Sequence, residues 1–309
     1  MTEVTDVPAV VIRFALYANL MLLFGLPAFA LYSVSLASPE GPTVRMIRRS
    51  VLILAITALL LSAIGLAILC AAMAGVPVLE VDRETVDLVV MQTPIGAAWI
   101  VRMAALLVIA AICLTMRRSR WITVFCAAVA LATLAWTGHG AAGEGSAGWF
   151  QLAADIVHLL AAGTWIGALI VFAVMLTRPV ARMTDADVGA VTAALDRFAV
   201  VGTLVVVLLI ATGLISSFML VGIENVAASP STLYGQLLII KLMLFAAMLA
   251  LAATNRWRLT PALARCNDFS DRLSAVKALR RSLAAEVAAA VLILGLVAWL
   301  GTLSPPLSA

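Results

Sequence analysis

Eight stretches of this chain stay apolar for about 20 residues each, long enough to cross a hydrocarbon core of about 30 Å as a helix. They run near Val10–Leu36, Val51–Ala74, Ile95–Met116, Trp121–Thr137, Trp149–Leu176, Phe198–Ile223, Leu233–Thr254 and Leu283–Leu303. Lipid offers no hydrogen bonds, so a spanning segment must satisfy its own backbone, as a helix does. The expectation is an all-α, polytopic membrane helix bundle with eight transmembrane helices. No linker or low-complexity segment divides it, so residues 1–309 are read as a single domain. Composition agrees: 64% of residues are hydrophobic and 12% charged, against roughly 45–50% and about 25% in soluble domains. A soluble globular domain, a disordered chain and a secreted disulfide scaffold are excluded. The cysteines, Cys70, Cys113, Cys126 and Cys266, form no CxxC pair and read as inert thiols.

Punctuation marks the boundaries. Ser38-Pro39-Glu40-Gly41-Pro42 follows the first run, Gly75-Val76-Pro77 the second, and Thr93-Pro94 opens the third, where proline suits a helix start. The N-terminal MTEVTDVP has no basic residue, so the first run is read as a retained helix and not as a cleaved leader. Sixteen of the 20 basic residues fall in alternate loops: Arg45, Arg48 and Arg49; Arg117, Arg118 and Arg120; Arg178, Arg182 and Arg197; and seven between Arg256 and Arg281. The positive-inside rule then places both termini outside. The net charge of +4 lies in these loops and faces lipid headgroups, with no nucleic acid as partner. Asp268 to Arg281 reads as a short amphipathic surface helix. An Arg-Phe-Ala start recurs at Arg13 and Arg197, a hint of an inverted repeat.

Ionisable residues within a membrane are costly, and each is a functional hypothesis. This chain has Arg102, Asp155, His158, Lys241 and Glu286 inside its runs, with His139 just beyond the fourth. Rise per residue places the first four and His139 in the outer leaflet, and Glu286 near the inner end of the last run. Gln151, Asp155, His158 and Trp165 share one face of the fifth helix. Gly163 and Gly167 form a small-xxx-small pair on roughly the opposite face, suited to packing on a neighbour. Asn255 or Arg256 would hold Glu286 as part of an inner gate. His139 and His158 are the only histidines. They fit a metal pair, since imidazole suits copper, zinc, iron and nickel, with Met91 or Met219 as a further thioether ligand. They fit equally a buried histidine oriented by Asp155 and an unrelated loop histidine. No phosphate loop, GxSxG elbow, paired catalytic carboxylates or HExxH is present, so no enzyme is expected.

Asp155-Ile-Val-His158-Leu-Leu-Ala-Ala-Gly-Thr-Trp165-Ile-Gly167 resembles the signature segment of the CopD/PcoD copper-resistance membrane proteins. Gly138-His139, Arg197-Phe198, Tyr234-Gly235, Lys241-Leu242, Asn255-Arg256, Pro261, Glu286 and Pro305-Pro306 agree in order, over about residues 135–306. The resemblance implies copper transport across the bacterial inner membrane, in company with a periplasmic copper-binding protein of the CopC type. It makes His139 and His158 the best ligands for a copper ion. The alternative is a b-type haem held by the same histidines, with Arg102 and Lys241 on its propionates.

Reporter fusions at Ser38, Ser119, Thr184 and Asp268 test the topology. All four are expected to report the cytoplasm, and a periplasmic signal at Asp268 would overturn the span count.

Overall fold

The backbone requirement of lipid is met by helices alone. The computed structural model describes residues 7–33, 42–115, 119–137, 145–177, 179, 183–221, 231–265 and 269–303, and contains no strand among them. Eight of its helical segments are long and apolar enough to span a membrane. The elements are α1 (Val7–Ser33), α2 (Pro42–Ala74), the short α3 (Arg83–Gln92), α4 (Pro94–Leu114), α5 (Arg120–Ala132), α6 (Gly145–Met175), α7 (Asp185–Val221), α8 (Leu233–Thr254), α9 (Thr260–Ala264) and α10 (Phe269–Leu300). A 3₁₀ turn, Thr133–Thr137, prolongs α5, and a π-helical turn, Asn255–Leu259, joins α8 to α9. An even number of spans returns both termini to one end, here termed outer after the loop charges.

Caps define several outer starts. The Thr93 hydroxyl accepts from the Gly96 amide at 3.0 Å, with Pro94 opening α4. Thr232 does the same for Gly235 at 3.1 Å at the start of α8. Each satisfies an amide that the helix start leaves free.

At the centre, α1 lies against α6, and around them α2, α4 and α5 form one flank and α7, α8 and α10 the other. The closeness of α1 and α6 rests on glycines. A Cβ on Gly25 would overlap the Gly163 carbonyl oxygen, and one on Gly167 would run into the Gly25 backbone. The glycine face of α6 therefore packs on α1. Phe29 and Phe172 meet edge to face beside this contact, and Phe172 and Trp165 both meet Phe198 of α7.

Two arginines tie helix ends. Arg13 of α1 donates to the Thr137 carbonyl at 3.2 Å and lies against Gly301, where a Cβ would displace its guanidinium. Arg197 of α7 donates to the Ser33 carbonyl at the C-terminal end of α1, at 2.5 Å. Both meet carbonyls that a helix end leaves unpaired. The two Arg-Phe-Ala segments thus share a local role at opposite ends of the bundle.

The inner end departs from expectation. Asp268–Arg281 is no separate surface helix: α10 runs without a break from Phe269 to Leu300, and Val276 and Leu279 are fully buried. α7 likewise starts at Asp185, well before Phe198. Hydropathy registers only the stretch that lipid surrounds, whereas these helices continue beyond it by packing on one another. The residue at the inner end of the last apolar run, Glu286, consequently lies in mid-helix.

Substitution of Gly25 by Val is expected to cost about 3 kcal/mol or more, since overpacking against backbone cannot be relieved by a rotamer change. Gly295→Ala, where nothing lies within 4 Å of an added Cβ, is expected to stabilise by about 0.5–1 kcal/mol. Thermal unfolding in detergent, followed by size-exclusion chromatography, distinguishes the two.

Candidate functional site

With its glycine face on α1, α6 turns Gln151, His158 and Trp165 the other way, and Phe172 continues their line while still meeting Phe29 of α1 at its edge. These four recur every seven residues, a spacing that drifts only about 20° per repeat on a straight helix. Two neighbours carry stripes of the same period. On α7 they are Phe198, Val205, Thr212 and Met219, and on α8 Tyr234, Lys241 and Met248, with Asn255 next in line at the start of the π-helical turn. The polar members gather at two levels.

The outer level is built by α6, α7 and α8. His158 is half-buried, and its Nδ1 lies 2.8 Å from Thr212 Oγ1. The Thr212 hydroxyl hydrogen is already committed, because it donates to the Leu208 carbonyl at 2.6 Å. With the hydroxyl assigned as donor to that carbonyl, its oxygen accepts from Nδ1–H, the tautomer that leaves Nε2 its lone pair. A histidine so fixed is prepared to ligate a metal through Nε2. One turn away, Asp155 Oδ1 accepts from Ser216 Oγ at 2.8 Å. Lys241 lies within electrostatic reach of Asp155 and His158, and Tyr234 within reach of Asp155.

The expected residues divide as follows. Asp155, His158 and Lys241 come together, with Gln151 buried one turn outward on α6. Met219 is half-buried on the Thr212 and Ser216 face of α7, whereas Met91 on α3 is 74% exposed. His139 lies outside the described residues. Among the described residues no group of three His, Cys, Asp or Glu side chains is placed to hold a metal. Arg102 is placed elsewhere: it is buried between α4 and α5, where Nε donates to Thr133 Oγ1 at 2.8 Å and Nη2 reaches the Thr133 carbonyl at 3.5 Å. Depth alone had grouped it with Asp155, but depth does not say which helices face each other. The bond that orients the His158 ring comes from Thr212, a residue sequence reasoning missed. Its signal was the pair Thr212 and Ser216, four apart on one helical face in a run with few other polar residues.

The inner level is a cavity of about 320 Å³ between α6, α7, α10 and the π-helical turn after α8. Trp165, Phe172 and Phe198 wall it, and Glu286 and Asn255 supply polar groups. Asn255 Nδ2 donates to Glu286 Oε1 in a short hydrogen bond. Glu286 is only 2% exposed. Of the two partners foreseen for it, Asn255 makes the bond. Arg256 instead donates to the Ala199 carbonyl at 3.1 Å and to Thr203 Oγ1 at 2.5 Å, both on α7.

Comparisons with known proteins add a lineage. Residues 1–149 match the family described as copper resistance protein D-like, N-terminal domain, and residues 192–300 that described as copper resistance protein D. The chain is 40% identical to the copper resistance protein D of Pseudomonas syringae pv. tomato over 308 residues, covering 98% of this chain and 99% of that one. It is 26% identical over 262 residues to the inner membrane protein YebZ of Escherichia coli K12, covering 84% and 87% respectively. No solved structure matches.

Asn255→Leu is expected to destabilise the fold by about 1–3 kcal/mol or more, because it strips a buried carboxyl of its donor. Glu286→Gln keeps an acceptor for Asn255 and is expected to unfold within a few degrees of the parent. Detergent melting curves of the two variants check the difference.

Proposed function

The chain belongs to the copper resistance protein D family, and from that premise we propose that it carries copper across the membrane, loading it on the outer side through His158. Family membership and eight apolar helices make it a multi-pass protein of the bacterial inner membrane with a role in copper resistance and homeostasis. The step to a carrier rests on one observation above all: the Thr212 bond leaves His158 Nε2 free to ligate.

In this reading His139, from the segment between α5 and α6, is the second imidazole. Two imidazoles at about 2.0–2.1 Å from a metal bind copper(I) with few ligands, and Met219 adds a soft thioether from the α7 face. A low coordination number suits a carrier, which must bind and also release. Asp155, held by Ser216 and facing Lys241, sets the charge beside the ring. The route continues along the same three stripes, past Met248 and Trp165, to Glu286, Asn255 and Arg256 as the inner gate. Residues 1–309 act as one unit, a carrier and not an enzyme, and a CopC-type periplasmic protein delivers the cargo.

Copper(I) titration of the purified protein is the direct test. His158→Ala and His139→Ala are each expected to abolish stoichiometric binding. Thr212→Val and Asp155→Asn are expected to weaken it by about 10–100-fold, the usual effect of removing a group that supports a metal ligand. Full binding by both histidine variants would place the site elsewhere. A red protein with a Soret band would replace copper with haem at the same histidines.

A further inference from the structure

A carboxyl in mid-bundle needs a reason to be there, because an intramembrane carboxylate is costly wherever water is excluded. Glu286 is 2% exposed, and its described bond is to the neutral amide of Asn255. The charged or titratable residues that share the cavity lining are Asp196 of α7 and Arg256 of the π-helical turn. Asp196 is exposed, and the described hydrogen bonds of Arg256 run to α7. α6 contributes no charged residue to the lining, and the one charged residue of α1, Arg13, is at the opposite end of the bundle.

The donor chemistry here differs from that of the outer level. Glu286, Asn255 and Thr203 offer oxygen, which suits hard cations, whereas copper(I) favours sulfur and nitrogen. An alkali ion would need a fuller shell of oxygens than these three supply. A proton needs one carboxyl oxygen and a path. Trp165 Nε1 and Asn255 Oδ1 are buried without a protein partner, and such groups are satisfied by ordered water. At about 30 Å³ per molecule, a cavity of about 320 Å³ has room for several waters.

The cavity also lies in line with the outer level. His158 and Trp165 are successive members of one α6 stripe, about 10 Å apart along the axis. Lys241 and Met248 on α8, and Asn255 just after it, follow the same course. A further positive charge entering a bundle that already carries Lys241 and Arg256 is unfavourable in a medium of low dielectric unless a positive charge leaves.

Resting on the carrier reading above, we infer that the Glu286–Asn255 cavity is a proton site that exchanges one proton for each copper(I) carried. When copper(I) enters from the outer side, the O–H bond of the Glu286 carboxyl breaks, the proton leaves toward the outer side along the stripe that joins the two levels, and the carboxylate charge offsets the cargo. When copper(I) leaves at the inner end, the carboxylate takes up a proton from the inner side. No electron is transferred, and the charge at this depth is unchanged over the cycle. Asn255 Nδ2 bonds the same oxygen in both states.

Two measurements on the full-length protein test this. In proteoliposomes holding a pH-sensitive dye, copper(I) movement is expected to drive proton movement in the opposite direction at a ratio near one. Glu286→Gln is expected to lose the proton signal, to slow copper movement at least tenfold, and to bind copper(I) more weakly than the parent and without the parent's pH dependence, because binding and deprotonation are reciprocally linked. Glu286→Asp is expected to recover part of both. Copper movement at full rate without proton movement, or proton movement that survives in Glu286→Gln, overturns the inference and leaves the carrier reading intact. Absence of any copper movement by the parent protein overturns both. Infrared difference spectra in detergent provide the second measurement. Copper(I) loading is expected to remove a protonated-carboxyl C=O band in the parent and not in Glu286→Gln, and no such band in the parent overturns the proton site by itself.

Discussion

The backbone contact between α1 and α6 governs the arrangement of everything around it. In lipid, helices gain little from hydrophobic association, so they cohere through close van der Waals packing and polar ties. Gly25, Gly163 and Gly167 let the two backbones meet where any side chain would hold them apart. That contact sets the rotation of α6 about its axis. The face carrying Gln151, His158 and Trp165 is thereby directed away from α1, toward the flank formed by α7, α8 and α10. Arg197 and Phe198 then anchor α7, one on the Ser33 carbonyl and the other among Tyr32, Trp165 and Phe172. A contact with no chemistry of its own thus positions the residues that have some.

Polar groups in the apolar interior are arranged in the same economical way. Thr212 both closes a bond to its own helix and accepts from His158, which selects the imidazole tautomer without any charged partner. Ser216 does for Asp155 what water would do at the surface. Asn255 meets Glu286 at the point where α8 loosens into a π-helical turn, a local widening often found at functional sites. The two levels differ in composition: the outer one sets an imidazole beside hydroxyls, a carboxylate and Lys241, and the inner one sets a carboxyl beside an amide.

Much of the architecture was legible in the residues. The spans could be read because the demand of lipid on a backbone is local: about 20 apolar residues suffice wherever they occur. The two faces of α6 could be read because helical period is a property of one segment. Glu286 was assigned to Asn255 or Arg256 because these polar residues fall near the same end of adjacent runs, and the structure selects Asn255. By contrast, Arg102 was grouped with Asp155 on depth, and the structure places it with Thr133 on the other flank. The extension of α10 back to Phe269 was hidden because hydropathy measures what lipid touches and not where a helix ends.

By itself, then, the sequence determined the helical class, the number of crossings, the loops that carry the positive charge, and which side chains are too polar to be in lipid without cause. Only the tertiary structure decided which of them meet. The hydroxyl of Thr212 reaches His158, Ser216 reaches Asp155, and Arg256 turns to α7 instead of Glu286, because partner choice depends on the rotation and neighbour of each helix. Those follow from backbone contacts between segments far apart in the chain, such as Gly25 with Gly163, and no periodicity within a single segment encodes them.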